Sequence, residues 1–576
     1  MTYRAPVSEL QFLLRDVLGY GRVTETERFA EAAGEMTDAI LTEAARLAEE
    51  VMAPLQRAGD LHPARLENGV VRTSPGFADG YKAIAEGGWV GMTADPEHGG
   101  MGLPLTLATG VNEMMHSACL ALALNPLLTQ GQIEALEAHA SDEIKATYLP
   151  KLTSGTWTGT MNLTEPQAGS DVGALRSKAV PNGDGTYAVS GQKIYISWGD
   201  HDVAENVCHL VLARLPDGRA GTKGISLFIV PKYLPDEAGN PGKANSLRTV
   251  SLEHKMGLHG SPTAVMEFDG ATGWLVGAEH GGMAAMFTMM NNARLAVGVE
   301  GLGIAEAATQ KAVAFALDRV QGRVPVEGGT GTILDHADVR RMVLRMKALT
   351  ATARGICLDT ALSFDMAQAT GGEEAKTWAA RGAFLTPIAK AHGTDIGCEV
   401  AELGIQVHGG MGYVEETGAA QFYRDVKVTT IYEGTNGIQA MDMVARKLMD
   451  GGDAARAMLA EVQATADRAA GSDGALAPLG AALGRAVEAV AETLDWMLGA
   501  EMNDRFAGAR PFLTAFGHLL GGHYLLAAAL AGDSAERVAL ARFQIMQILP
   551  GVGGLCLSAQ QGAEPLYAFP ADALTA

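Results

Sequence analysis

The chain has 576 residues, more than the roughly 250–300 that one hydrophobic core sustains, so several domains are expected. An apolar content of 47% excludes a mostly disordered chain. The formal net charge of −22 repels phosphate backbones and argues against a nucleic-acid partner, while leaving room for a local basic pocket.

Residues 1–155 are predicted to form a helical domain. Stretches 39–55 and 105–138 carry helical spacing, and the Gly-rich segment between them, through Gly87, Gly88, Gly99, Gly100 and Gly102, marks irregular backbone. Residues 156–285 change to strand patterns. Asn182-Gly183-Asp184-Gly185 predicts a hairpin turn into a strand at 186–190, and 207–212, 226–230 and 264–268 read as further strands. Residues 286–449 return to helix. Ile396, Val400, Leu403 and Val407 fall on one face, and Pro387 is expected to bend or end the helix before it. Residues 450–576 form a further helical block. Positions 451–576 hold seven Arg, no Lys and thirteen Asp or Glu, which suits neither a membrane anchor nor a DNA-binding appendage. The apolar run 512–531 contains His518 and His523 and reads as a buried helix. The N-terminus lacks a basic stretch followed by an apolar run, so no signal peptide is expected.

Cys119, Cys208, Cys357, Cys398 and Cys556 are scattered, with no CxxC pair. They are expected to be reduced thiols of a cytoplasmic protein, and the His spacing suggests no metal site. No GxGxxG opens a strand-to-helix turn, so a Rossmann cofactor site is not supported. Gly328-Gly329-Thr330-Gly331 reads as a surface loop.

Two segments stand out. Leu163-Thr164-Glu165-Pro166-Gln167-Ala168-Gly169-Ser170-Asp171 crowds acidic, hydroxyl and small residues around a Pro. Ile431-Tyr432-Glu433-Gly434-Thr435-Asn436 places one carboxylate between an apolar run and a predicted helix. On its residues alone, Glu433 suits a general base raised by burial and equally a Glu favoured by a helix dipole. Thr164 and Ser170 suit a ligand loop or ordinary turn capping.

In this order and spacing the two motifs resemble the flavin-contact and catalytic-base loops of the acyl-CoA dehydrogenases, over about residues 35–448. That resemblance implies an α+β multidomain fold: a helical N-terminal domain, a middle β-barrel domain and a helical bundle, followed here by an extra C-terminal helical domain. It implies FAD as cofactor, an acyl-CoA substrate and an electron-transfer flavoprotein as acceptor. It also implies that Glu433 takes the α proton while its backbone N–H polarises the thioester carbonyl. Some relatives carry the base near Asn292 and Ala293, neither of which can serve. Leu163 and Thr164 would run along the isoalloxazine. Ser170 would lie near a flavin phosphate or the substrate. Met161 stands where many relatives have an aromatic residue. Tyr195 and Ser197, in Gln192-Lys193-Ile194-Tyr195-Ile196-Ser197, replace the usual Trp and Thr beside the ring, and Thr435 belongs to the base loop's cofactor contact. Arg294, and Asn291 where some relatives have Asp, would bind CoA. Arg319, Gln406, Gly409 and Gly410 resemble segments that reach a neighbouring subunit's FAD, implying a homodimer or higher homo-oligomer.

The opening Tyr3-Arg4-Ala5-Pro6-Val7-Ser8-Glu9-Leu10-Gln11-Phe12, with Glu253-His254-Lys255-Met256-Gly257-Leu258-His259-Gly260-Ser261-Pro262, is similar to the 3-methylmercaptopropionyl-CoA dehydrogenase branch. That branch oxidises 3-(methylthio)propanoyl-CoA to 3-(methylthio)acryloyl-CoA in dimethylsulfoniopropionate breakdown. A short- to long-chain fatty acyl-CoA of β-oxidation is the alternative substrate. An acyl-CoA oxidase and a DNA-binding flavoprotein relative are lesser alternatives.

Overall fold

The computed structural model describes residues 3–324, 326–532 and 534–575, and the Asn291 side chain lies outside the described set. The chain divides into two compact units. One comprises Met1–Thr42, Pro104–Ser117 and Arg294–Ala576, the other Glu43–Leu103 and Ala118–Ala293.

The second unit is organised by a mixed sheet. Its strands are β1 (Trp157–Asn162), β2 (Lys178–Pro181), β3 (Tyr187–Ser197), β4 (Asn206–Ala213), β5 (Ser226–Pro231), β6 (Leu247–Leu252) and β7 (Thr263–Val276). The order is β1-β4-β5-β7-β3-β2, with β6 also on β7. An isolated parallel bridge between Lys178 and Arg214 joins β2 back to the end of β4, so the sheet closes on itself as the expected barrel. The expected hairpin is present: Asp184 Oδ1 accepts from the Thr186 N–H at 2.9 Å, and Gly183 and Gly185 take φ of 88° and 90° at no steric cost. Alternation fills the interior. Ala264, Met266 and Phe268 on β7, Val211 and Ala213 on β4, and Phe228 and Val230 on β5 share one buried cluster, as period-2 strands dictate. Register shifts at Ala264/Met266 and Asp269/Ala271 bend the 14-residue β7, so one strand pairs with three neighbours.

The first unit is helical. Its long helices include α1 (Gly282–Asp318), α2 (Ala337–Ala369), α3 (Gly372–His408), α4 (Asn436–Ala445) and α5 (Met502–Ala531); the first turns of α1 belong to the second unit. Pro387 does not end its helix, because α3 runs through it from Gly372 to His408. The flanking turns are buried on both sides of Pro387, and the Thr386 hydroxyl donates to the Gly382 carbonyl at 2.8 Å. Packing of that length overrides a local cost of about 3 kcal/mol. Ile396, Val400 and Val407 are buried, as their spacing predicted. Helix α5 is long and apolar enough to cross a membrane, and 72% of its apolar window is buried inside the fold. It packs with the C-terminal helices Asp453–Ala470, Ala477–Gly499, Ala535–Phe543 and Gly551–Ala559.

Candidate active site

The base loop, residues 431–435, sits in the first unit between a 3-10 turn and α4. Two consecutive residues turn left-handed: Glu433 at φ 54° and Gly434 at φ 84°. Gly takes that region freely, whereas Glu does so only where its surroundings impose it. Those surroundings are specific. The buried Gln439 amide donates to the Glu433 carbonyl at 3.0 Å. The buried Lys390 ammonium on α3 donates to the Gly434 carbonyl at 2.8 Å and to Asn436 Oδ1 at 2.9 Å. Thr435 caps α4 by accepting from the Ile438 N–H at 3.3 Å. The Tyr432 hydroxyl donates to the Glu300 carboxyl on α1.

The Tyr432 hydroxyl, the Glu433 and Gly434 carbonyls and the Thr435 hydroxyl are therefore each held. Among the described residues, neither the carboxyl nor the N–H of Glu433 has a hydrogen-bond partner. Burial pushes its pKa up, opposed by the charges of Arg294 and Lys390. Lys390 is itself brought down by burial to about 8, against the pull of Glu433, Glu300 and Asp395. Glu300, 1% exposed, is pushed up by burial to about 8, with Tyr432 and Lys390 opposing. Arg294 is 5% exposed, held 3.5 Å from Asp442 Oδ2, with its buried Nε unsatisfied. The result is a half-buried carboxylate under the influence of two buried cations, with a raised proton affinity and no competing hydrogen-bond partner among the described residues. That is the condition of a general base.

The second unit holds the other motif. Met161, 9% exposed, lies on β1, and Leu163 and Thr164 follow its end, both half-buried. The Thr164 carbonyl accepts from the Ile194 N–H at 3.0 Å, and the Leu163 carbonyl from Lys193 Nζ at 3.0 Å. These bonds bring the loop beside the strand carrying Tyr195 and Ser197. Tyr195 is left-handed at φ 60° and its side chain is 62% exposed, while Ser197 is half-buried. Ser170 lies exposed beyond the Glu165–Ala168 bridge.

The remaining expected residues belong to the first unit. Arg319 follows the last residue of α1 and is exposed, and Gln406, Gly409 and Gly410 lie exposed at the end of α3. Phe315 and His408 stack at 4.4 Å, which brings those two segments together. Gly409 has φ 59°, and a Cβ at it or at Gly410 would meet nothing within 4 Å. The side chain of Asn291 lies outside the described residues.

Family models for acyl-CoA dehydrogenases match most of the chain: the N-terminal domain at 34–156, the middle domain at 160–271 and the C-terminal domain at 280–449. The chain belongs to the acyl-CoA dehydrogenase family. An acetyl-CoA dehydrogenase C-terminal-like model matches 458–570. The 3-methylmercaptopropionyl-CoA dehydrogenase of Ruegeria pomeroyi is 46% identical over 542 residues, 93% of this chain and 92% of that protein. The broad-specificity linear acyl-CoA dehydrogenase FadE5 of Mycobacterium tuberculosis is 33% identical, covering 95% and 96%. Among solved structures, Caenorhabditis elegans ACDH-11 in complex with C11-CoA superposes with a TM-score of 0.78 at 22% identity, covering 95% and 92%. That likeness shows the fold.

As an acyl-CoA dehydrogenase the protein uses FAD, and what the chain presents fits that group. An exposed aromatic ring at Tyr195 offers a planar cofactor a face to stack on. The open Gly409-Gly410 turn admits a phosphate against the backbone.

Sequence reasoning did not single out Glu300, Lys390 or Gln439, nor the Glu165–Lys193 pair. A signal existed for Glu300, the one charged side chain between Leu295 and Ile304 in an otherwise apolar and glycine run. Lys390 stands out in the same way, as the one Asp, Glu, Lys or Arg between Gly382 and Thr394.

Proposed function

We propose that the protein oxidises 3-(methylthio)propanoyl-CoA to 3-(methylthio)acryloyl-CoA, with Glu433 as the base. The carrying observation is the Glu433 carboxyl, raised by burial, flanked by Arg294 and Lys390 and free of any hydrogen-bond partner among the described residues. Such a group accepts a proton from carbon more readily than an exposed Glu. The α C–H proton passes to Glu433, and the electron pair it leaves forms the α,β double bond. FAD supplies the acceptor for the β hydrogen with its electron pair. The free N–H of Glu433 is available to the thioester oxygen, where negative charge builds as the proton leaves. Met161, Leu163, Thr164, Tyr195 and Ser197 are assigned to the flavin ring, and Thr435 is assigned to the base loop's cofactor contact. Ser170, Asn291 and Arg294 are assigned to substrate.

The methylthio substrate is supported by the Ruegeria relative's identity along nearly the whole chain. A straight-chain acyl-CoA is favoured by the butyryl-CoA dehydrogenases of Syntrophomonas wolfei, 34% and 32% identical, and a thioether sulfur is apolar enough to share such a pocket. Turnover of a panel of acyl-CoAs, including the methylthio compound, separates the two. The methylthio thioester is expected to give the highest kcat/KM, and a butyryl or longer thioester ahead of it overturns the assignment. Peroxide formed with substrate and air alone would instead mark an oxidase.

Electrons are assigned onward to an electron-transfer flavoprotein. Arg319, Gln406, Gly409 and Gly410 are assigned to the FAD of a second copy in a homodimer, which their exposure and the Phe315–His408 stack support. A monomer mass for the holoenzyme in solution would sink that assignment.

A further inference from the structure

The base loop is gripped by α3, and α3 is gripped by the C-terminal block. Asn436, 5% exposed, opens α4 three residues after Glu433. Its amide donates to the Ala391 carbonyl at 3.1 Å, to Thr394 Oγ1 at 2.9 Å and to Asp395 Oδ1 at 2.9 Å. Its own oxygen accepts from Lys390 at 2.9 Å. One stretch of α3, residues 390–395, thus holds Asn436 from four sides and Gly434 through Lys390.

Helix α5 touches that stretch twice. Arg510 Nη2 pairs with Asp395 Oδ2, the oxygen Asn436 leaves free. One and a half to two turns further on, Gly517 lies against the His392 ring, where an added Cβ would come within 2.5 Å of Cγ and Cδ2. The His392 and His518 rings meet edge to face at 4.8 Å. Both contacts land between Lys390 and Asp395, the residues that set the loop.

We propose that the C-terminal block, residues 450–576, positions the catalytic loop, and that Arg510 is the positioning residue that orients Asp395 and, through Asn436, Glu433. The inference rests on Glu433 being the base. The physical reason is competition for Lys390. Asp395 attracts the Lys390 ammonium, and Arg510 satisfies the Asp395 oxygen that would otherwise draw it. Without Arg510, Lys390 is pulled from the Gly434 carbonyl toward Asp395, and the left-handed pair Glu433-Gly434 loses a tether. The Arg510–Asp395 pair is 40% and 31% exposed, so it adds little to global stability. Its effect belongs in catalysis, where a displacement of about 1 Å costs up to ~100-fold.

The test uses full-length holoenzyme with Arg510→Gln, Arg510→Lys, Asp395→Asn and the double Arg510→Gln/Asp395→Asn, and Glu433→Gln alongside. Arg510→Gln is expected to lower kcat about 5- to 20-fold, with KM, flavin content and Tm close to the parent. Arg510→Lys restores most of the loss, and the double variant is no worse than the poorer single one because both remove one contact. Parent-like kcat in Arg510→Gln, losses that multiply in the double variant, or a kcat loss matched by lost flavin and lower Tm each overturn the inference. A Glu433→Gln variant that still turns over overturns the base assignment instead, so the two failures read differently.

Discussion

The protein carries two motif glutamates, one in each unit, and they have opposite fates. Glu165 follows a Thr and Glu433 a Tyr, and each opens a tight, irregular segment. Glu165 is wrapped in donors: Lys193 Nζ at 2.8 Å, the Ser177 hydroxyl at 2.6 Å, the Ser177 and Arg176 N–H groups at 3.0 and 2.7 Å, and Gln167 at 2.7 Å. Burial alone would raise its pKa, but Lys193 and these donors bring it down to about 2. Glu433 has cations nearby and no donor, so burial prevails and its pKa rises. A carboxylate with every lone pair engaged is an anchor. A carboxylate with none engaged can take a proton. The same side chain thus serves structure in one unit and, in the role proposed for Glu433, chemistry in the other, and the hydrogen-bond inventory separates the two.

The sharpest way to break this contrast is to neutralise each in turn. Glu433→Gln is expected to lower turnover by about 10²–10⁴-fold, to purify yellow, and to leave the flavin unbleached by acyl-CoA. Its Tm should equal or exceed the parent's, since a buried carboxyl of raised pKa opposes folding once ionised. In the parent, kcat must fall as pH drops through the raised Glu433 pKa, because the protonated form cannot act as base, so the acid limb lies above the ordinary Glu value. Normal bleaching by the variant would refute the base. Glu165→Gln should do the reverse. It leaves the fully buried Lys193 without its counter-ion, a change that costs about 3–5 kcal/mol. Lower Tm and loss of flavin are expected, and denaturation with flavin retention measured together checks it. Parent stability in that variant would show that the donors around Glu165 are dispensable.

Much of this is legible in the amino-acid sequence. The strands were readable because β4 and β5 are short apolar runs, buried along their whole length, and because a Gly-rich turn precedes β3. The base loop was readable as a position, since a Tyr-Glu-Gly-Thr run between an apolar turn and a helix has few uses. Its electrostatics were not. Glu300 and Lys390 lie 133 and 43 residues before Glu433, and no local pattern joins them. Pro387 misled as a helix end for the same reason. A local breaker was outweighed by packing along a 37-residue helix, and packing is not written in any window around the Pro. The link from Arg510 to the loop is more distant still, since it needs α5 laid against residues 392–395 of α3.

The smallest expected effect concerns Glu300, a carboxyl raised by burial like Glu433, whose one hydrogen-bond donor among the described residues is the Tyr432 hydroxyl. Its folded pKa is about 8, against about 4.3 in an unfolded chain. A raised carboxyl pKa means the folded state binds the proton more tightly than the unfolded one. Its contribution to stability is then fully present below about pH 4.3 and is lost as pH rises toward 8. Glu300→Gln keeps an acceptor for the Tyr432 hydroxyl and removes the titration. The variant should therefore match the parent's Tm near pH 5 and exceed it by about one or two degrees near pH 8. A Tm difference that stays flat across that range would place the Glu300 carboxyl with Glu165, charged and satisfied, and not with Glu433. The contrast between the units would then narrow to Glu433 alone, held apart from every other buried carboxyl on α1 and in its own loop.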